Sequence, residues 1–376
     1  MHCFGCSNLI SKSYCIWNKQ YSREEYFSQL EKLNIGSYAD LEILKKRFIE
    51  EIYLSSVHRY ANIFNSVDST GDNINNAKNA KYCFDIFRNV EDSKYLYSAL
   101  DLKDSYDGNG VFENELSYEF VDCNTGNRNL GCIIVYESTN VSYALNCHNC
   151  KDCFGCTGLR SKRYCILNKQ YTKEEYETLL PKIRAHMNEV PYRDAQGAEY
   201  RYGEFFPMEI SPFYYNETIS QEYFPVFSGD TKARAYHLKE KENRGYKIDI
   251  ESKNLPDSIE ETNDLIVGKT ISCLHFSSND HLAFCDSACT EAFKVTAEDL
   301  QFYKRLGVPL PRLCPNCRHY TRLSKRNPLK VWHRSCMCKE GSHGHSGICR
   351  NEFETSYAPE RPEIIYCESC YQKEVM

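Results

Sequence analysis

Cys314-Pro-Asn-Cys317 sets two thiols two residues apart, the spacing at which a tight turn lets both sulfurs converge on one tetrahedral metal ion. Cys285 and Cys289, spaced Cys-x3-Cys, lie upstream, with 24 residues between Cys289 and Cys314. A short hairpin and a helix can span that interval, so these four cysteines are expected to form one site. A second knuckle, Cys367-Glu-Ser-Cys370, needs two more ligands. The candidates are Cys336, Cys338, Cys349, His343 and His345, and the expected pair is Cys338 and Cys349. Residues 339 to 348 then loop out, Cys336 is a spare, and the two histidines read as solvated loop residues. Closed four-cysteine sites leave no coordination place for water, so the expected cofactor is two structural Zn2+ ions, not a catalytic metal.

Residues 301 to 334 carry nine Lys or Arg and no Asp or Glu, in a chain whose formal net charge is -6. Arg312, Arg318, Arg322, Lys325, Arg326, Lys330 and Arg334 are candidate nucleic-acid contacts, interleaved with His319, Tyr320, Trp332 and His333. Clustered cations with aromatic rings suit phosphate contact and base stacking. The bland alternative is a solvated strip that pairs with the glutamate-rich segment following it.

The run from Cys285 through Phe293, then Ala297-Glu-Asp-Leu-Gln-Phe-Tyr303, Pro309 to Pro311 and Cys314-Pro-Asn-Cys-Arg318, resembles a zinc-ribbon domain found in many bacterial proteins. The closing stretch from Phe353 to Cys370 looks like a second ribbon of that type. Together with the amino-terminal motifs below, nearly the whole chain resembles one uncharacterised bacterial zinc-ribbon family, some members of which carry a CaiB/BaiF label. The resemblance implies ribbon cysteines and no activity.

These sites need a scaffold, and the amino-terminal half carries a duplication. Cys3-Phe-Gly-Cys6 recurs as Cys153-Phe-Gly-Cys156, and Tyr14-Cys-Ile-Trp-Asn-Lys-Gln-Tyr21 as Tyr164-Cys-Ile-Leu-Asn-Lys-Gln-Tyr171, at an offset of 150 residues. Ser22 with Glu25 and Thr172 with Glu175 fit capping boxes that start a helix after each copy. The first copy begins almost at Met1, so the natural chain is open to an upstream extension.

Between the copies, residues 72 to 165 read as short β units with Asn, Asp and Ser at their turns, which predicts a β-solenoid, with an antiparallel sheet as the alternative. Cys147, Cys150, Cys153 and Cys156, three apart, can clasp zinc or an iron-sulfur cluster; the preferred reading is packing, because copy one keeps Cys3 and Cys6 without a preceding pair. An amphipathic helix is expected over about Ser37 to Arg59, packed on the solenoid.

The expected architecture is thus α+β and multidomain. It comprises a duplicated solenoid-like module with capping helices over 1–190, an aromatic and charged connector over 191–270, and small zinc-ribbon or treble-clef-type domains over 271–334 and 335–376. No run of 18 apolar residues or charged-then-apolar leader occurs, and 21 cysteines with knuckle spacing suit a reducing cytoplasm with no membrane partner. Nucleotide-binding glycine loops, nucleophile elbows and His-Glu-x-x-His are missing from the sequence. The expectation is a non-enzymatic zinc protein whose partner is nucleic acid or a ribonucleoprotein. A protein-interaction adaptor is the alternative, and a solenoid carbohydrate-active enzyme a more distant one.

Overall fold

A computed structural model describes residues 2–226, 236–240, 244–278 and 288–375. Its fold is mixed α+β, and its largest element is a 13-stranded sheet. Every pairing in that sheet is parallel except the last, Lys169–Gln170 on Arg163–Ile166, so the antiparallel alternative does not hold. From Lys94 to Ile166 every parallel pairing joins a residue to the one 12 positions ahead, as in Lys94↔Tyr106, Tyr106↔Tyr118, Tyr118↔Leu130 and Lys151↔Arg163. Strands Tyr106–Glu115, Tyr118–Val121, Leu130–Tyr136, Thr139–Ser142 and Asn124–Asn127 pair in turn and return to the first, so five parallel strands close on themselves.

The local cause is a three-residue period. Glu137, Asn140, Tyr143, Asn146, Asn149 and Asp152 all sit in the left-handed region with φ between 50° and 56°, so the chain turns a corner every third residue. Asn and Asp tolerate that conformation best, and at these corners they also hydrogen-bond along the stack: Asn140 Nδ2 donates to Asp152 Oδ1 at 2.6 Å and Asn89 Nδ2 to Asp101 Oδ1 at 2.7 Å. Between corners, one residue of each three points inward. Cys132, Val135, Val141, Ala144, Cys147, Cys150, Cys153 and Cys156 fill that row and are buried. Buried serines stitch successive levels: the Ser105 amide donates to Ser93 Oγ and the Ser117 amide to Ser105 Oγ, each at 3.2 Å.

The two related segments are built alike. Cys3–Phe4 pairs in parallel with Cys15–Ile16, and Cys153 with Cys165; each is followed by an antiparallel return onto Lys19–Gln20 or Lys169–Gln170. Helices Arg23–Lys32 and Lys173–Glu189 then start with the capping boxes of Ser22 with Glu25 and Thr172 with Glu175. The expected helix over 37 to 59 is shorter: α-helix spans Tyr38–Arg47, passes into a π-helical turn at Phe48–Tyr53, and gives way to strand Val57–Arg59. Its start is fastened to the chain ahead of the carboxy-terminal cysteine clusters, where Asp257 accepts from the Ala39 amide at 2.9 Å and from the Ser37 hydroxyl. Strand Val57–Arg59 pairs in parallel with Ile364–Tyr366, Arg59 forms an ion pair with Glu368, and Ser356 Oγ donates to Asp72, which docks the tail on the stack. The aromatic connector straps onto the same body, through Tyr223 on Tyr97 and through the Gly203 amide, which donates to Tyr143 Oη at 2.7 Å.

Candidate metal centres and basic cleft

Two groups of four buried cysteines form in the tail: Cys273, Cys289, Cys314 and Cys317, and Cys336, Cys349, Cys367 and Cys370. Within each, the sulfurs lie within 4.8 Å of one another. Zinc–sulfur bonds near 2.3 Å place the sulfurs of a tetrahedral site about 3.8 Å apart. Cys289 Sγ to Cys314 Sγ and Cys349 Sγ to Cys367 Sγ are each 4.0 Å, so both sets fit the ion and neither pair is a disulfide.

The two centres have the same wiring. Cys273 follows strand Ile271–Ser272, which pairs with Ala292–Phe293, and its amide donates to the Glu291 carbonyl at 2.7 Å. Cys336 follows strand Trp332–Ser335, which pairs with Glu352–Thr355, and its amide donates to the Asn351 carbonyl at 2.9 Å. The second cysteine stands two residues before that carbonyl in both cases, as Cys289 and as Cys349. The third and fourth open a helix. Cys314 caps Pro315–Leu323, with its sulfur accepting from the Cys317 amide at 3.4 Å, and Cys367 immediately precedes helix Glu368–Val375. Amide-to-sulfur bonds of this kind and a helix amino terminus both favour thiolate over thiol.

Within each group the sulfurs divide: Cys289, Cys317, Cys336 and Cys370 are pushed up by their neighbours and by burial, while others are drawn down. Hydrogen bonding from Cys289 draws Cys273 down to about 7. At Cys367 burial opposes ionisation, but bonds from Ser369 and Asn351 hold the thiol at about 6. In the β-stack burial pushes Cys83 and Cys123 up to about 11, whereas hydrogen bonding from Cys153 draws Cys156 down to about 6. Cys147, Cys150, Cys153 and Cys156 each donate to the carbonyl two residues back, at 3.3–3.6 Å, and among the described residues no three of them form a ligand group.

Of the cysteines expected from spacing, Cys289, Cys314 and Cys317 meet in the first group, while Cys285 lies outside the described residues. Cys273 completes the four, a ligand that spacing overlooked because it is joined to Cys289 across a hairpin and not within a knuckle. In the second group Cys349, Cys367 and Cys370 meet, with Cys336 in the place expected for Cys338. Cys338 instead faces His343, whose Nδ1 lies 3.2 Å from its sulfur.

The basic strip divides into residues of different use. Arg312 is buried, at 5% exposure; it donates to the Leu255 and Pro256 carbonyls at 3.1 and 2.8 Å and lies over the Tyr38 ring. Arg334 donates to the Tyr357 and Ala358 carbonyls. Arg326 packs over Tyr223 and Lys330 over Trp332. Arg318, Arg322 and Lys325 face a cleft of about 620 Å³, whose opposite wall is the helix carrying Lys45 and Lys46. Glu42 and Glu50 partly neutralise that wall, through ion pairs to Lys45 at 2.7 Å and Lys46 at 3.8 Å.

No family model matches the chain, and no curated protein matches it in sequence. Among the described residues no helix is long and apolar enough to cross a membrane.

Proposed function

We propose that this chain is a zinc-ribbon protein that holds nucleic-acid backbone in the basic cleft, with each four-cysteine group occupied by a structural Zn2+. The observation that carries the reading is the convergence of Arg318 and Arg322, from the helix opened by Cys314, and of Lys325, just past its end, on Lys45 and Lys46 across one cleft. Folding of the ribbon around zinc would fix that helix, and with it the spacing of charges, because a small domain of this kind gains much of its stability from the metal. On this reading the amino-terminal stack is a β-solenoid of 12-residue coils, supported by the 12-residue pairing offset and the three-residue corner period. The Cys3 and Cys153 segments are then one module used twice, and the resemblance to bacterial zinc-ribbon proteins extends over both halves.

The test is binding of single- and double-stranded DNA and RNA oligonucleotides by the full chain across a salt series. Affinity that falls steeply with salt, and falls further in an Arg318→Ala/Arg322→Ala/Lys325→Ala variant with unchanged zinc content, supports the reading. Binding that is absent or insensitive to salt rejects it, and a protein partner retained after nuclease treatment would favour an adaptor.

A further inference from the structure

We propose that the second ribbon holds not one ion but two, bridged by the sulfur of Cys370. The proposal rests on the zinc reading of the four-cysteine group and extends it.

Cys370 belongs to two ligand groups at once. Its sulfur lies within 4.8 Å of those of Cys336, Cys349 and Cys367, and it also lies within 4.8 Å of Cys338 Sγ and a ring nitrogen of His343. Thiolate sulfur has lone pairs enough to bind two metal ions, so one shared cysteine can join a four-sulfur site to a neighbouring mixed site. Cys338 and His343 take no part in the first group. They are nevertheless turned inward beside it: Cys338 is fully buried and the His343 side chain is only 7% exposed, in a stretch whose composition reads as a solvated loop.

The histidines are held as metal ligands are held. A ligating imidazole usually gives its other ring nitrogen to a carboxylate or a carbonyl, which fixes tautomer and orientation. His343 directs Nδ1 at Cys338 Sγ, at 3.2 Å, while its Nε2 faces Glu374 Oε2 at 3.5 Å. His345 donates from Nδ1 to the Gly347 carbonyl at 3.0 Å, which leaves Nε2 as an acceptor 3.5 Å from Cys370 Sγ. The loop itself is pinned: Lys373 Nζ donates to the His343 carbonyl at 2.6 Å, and Gly344, with φ of 88°, makes the turn between the two rings. The second ion therefore takes Cys338, His343 and the bridging Cys370, whose ligand atoms lie within 4.8 Å of one another. His345, 3.5 Å from Cys370 but outside that group, would turn in as its fourth ligand. Two thiolates and two neutral imidazoles form a donor set suited to Zn2+.

The experiment counts metal in the purified full chain by elemental analysis and repeats the count after exchange into Co2+. Three zinc ions per chain are expected, falling to two in His343→Ala and in Cys338→Ser, with magnetic coupling between two of the Co2+ ions in the unmutated protein, as a shared thiolate requires. Two zinc ions per chain without coupling would remove the bridged ion and leave the four-cysteine centres intact. No bound metal would overturn both readings. A count of three that survives the combined Cys338→Ser/His343→Ala change would place the extra ion elsewhere and overturn the proposal. Coupling in the unmutated Co2+ protein decides the matter even where a variant fails to fold.

Discussion

The backbone amide of Cys367 donates to Cys336 Sγ at 3.2 Å, the counterpart of the 3.3 Å bond from the Cys314 amide to Cys273 Sγ. In each group the first cysteine of the hairpin is therefore tied to the first cysteine of the helix before any metal is considered. This wiring makes Cys273 the fourth cysteine of the first group, while Cys285 lies outside the described residues. Cys273→Ser is expected to lose one zinc ion per chain and to loosen the first ribbon, while Cys285→Ser keeps the full complement. Elemental analysis of the two variants separates them, and a loss of zinc in Cys285→Ser alone would reverse the assignment.

Positive residues of the basic strip should fall into two kinds when changed. Arg322 and Lys325 are exposed on the cleft, so Arg322→Ala and Lys325→Ala are expected each to lower the slope of log affinity against log salt by about 1, with little effect on unfolding. Arg312→Ala should do the opposite. It strands the Leu255 and Pro256 carbonyls and removes a cation from the Tyr38 ring, at a cost of about 1.5–3 kcal/mol in stability. Parallel salt titrations and denaturant melts of the three variants test the division.

Two residues between cysteines carry two meanings in this chain, and spacing alone cannot separate them. Cys314 and Cys317 are three apart because a helix start folds both sulfurs to one point. Cys147, Cys150, Cys153 and Cys156 are three apart because the stack turns a corner every three residues and one residue in three faces inward. The duplication already hinted at this, since Cys3 and Cys6 lack a preceding pair. The succession of short β units, both capping boxes and three cysteines of each group were legible from residue types and periods. Cys273 and Cys336 were not, because their partners lie across hairpins with insertions of different length. His343, a candidate ligand by type, reads from sequence as a solvated loop residue, because a Gly/His/Ser run gives no sign that its side chain is only 7% exposed.

The inward cysteines should accordingly behave as small core residues. Cys147→Ala, Cys150→Ala and Cys153→Ala are expected to leave zinc content unchanged and to cost about 1 kcal/mol each, since a small buried sulfur is lost with little room to collapse. Metal counts and chemical melts check both halves of the statement. Loss of metal from any of the three would restore the cluster reading for that run.

The seat of the cleft's second wall should be sensitive to acid in a definite direction. Asp257 accepts from the Ser37 hydroxyl and the Ala39 amide at the start of helix Tyr38–Arg47, and these bonds, the first above all, hold its carboxyl below the ordinary 3.8. A carboxyl whose pKa is lower folded than unfolded stabilises the fold fully above the unfolded value and loses that contribution as pH falls through the folded one. Asp257→Asn keeps the shape but cannot ionise. The variant should therefore be less stable than the unmutated chain at neutral pH, and the gap should narrow as pH drops below about 4. Zinc released by acid affects both proteins alike, so the difference between their unfolding midpoints at matched pH isolates the carboxylate. A gap that stays constant from neutral pH to below about 4 would mean that the Asp257 charge does not hold this helix.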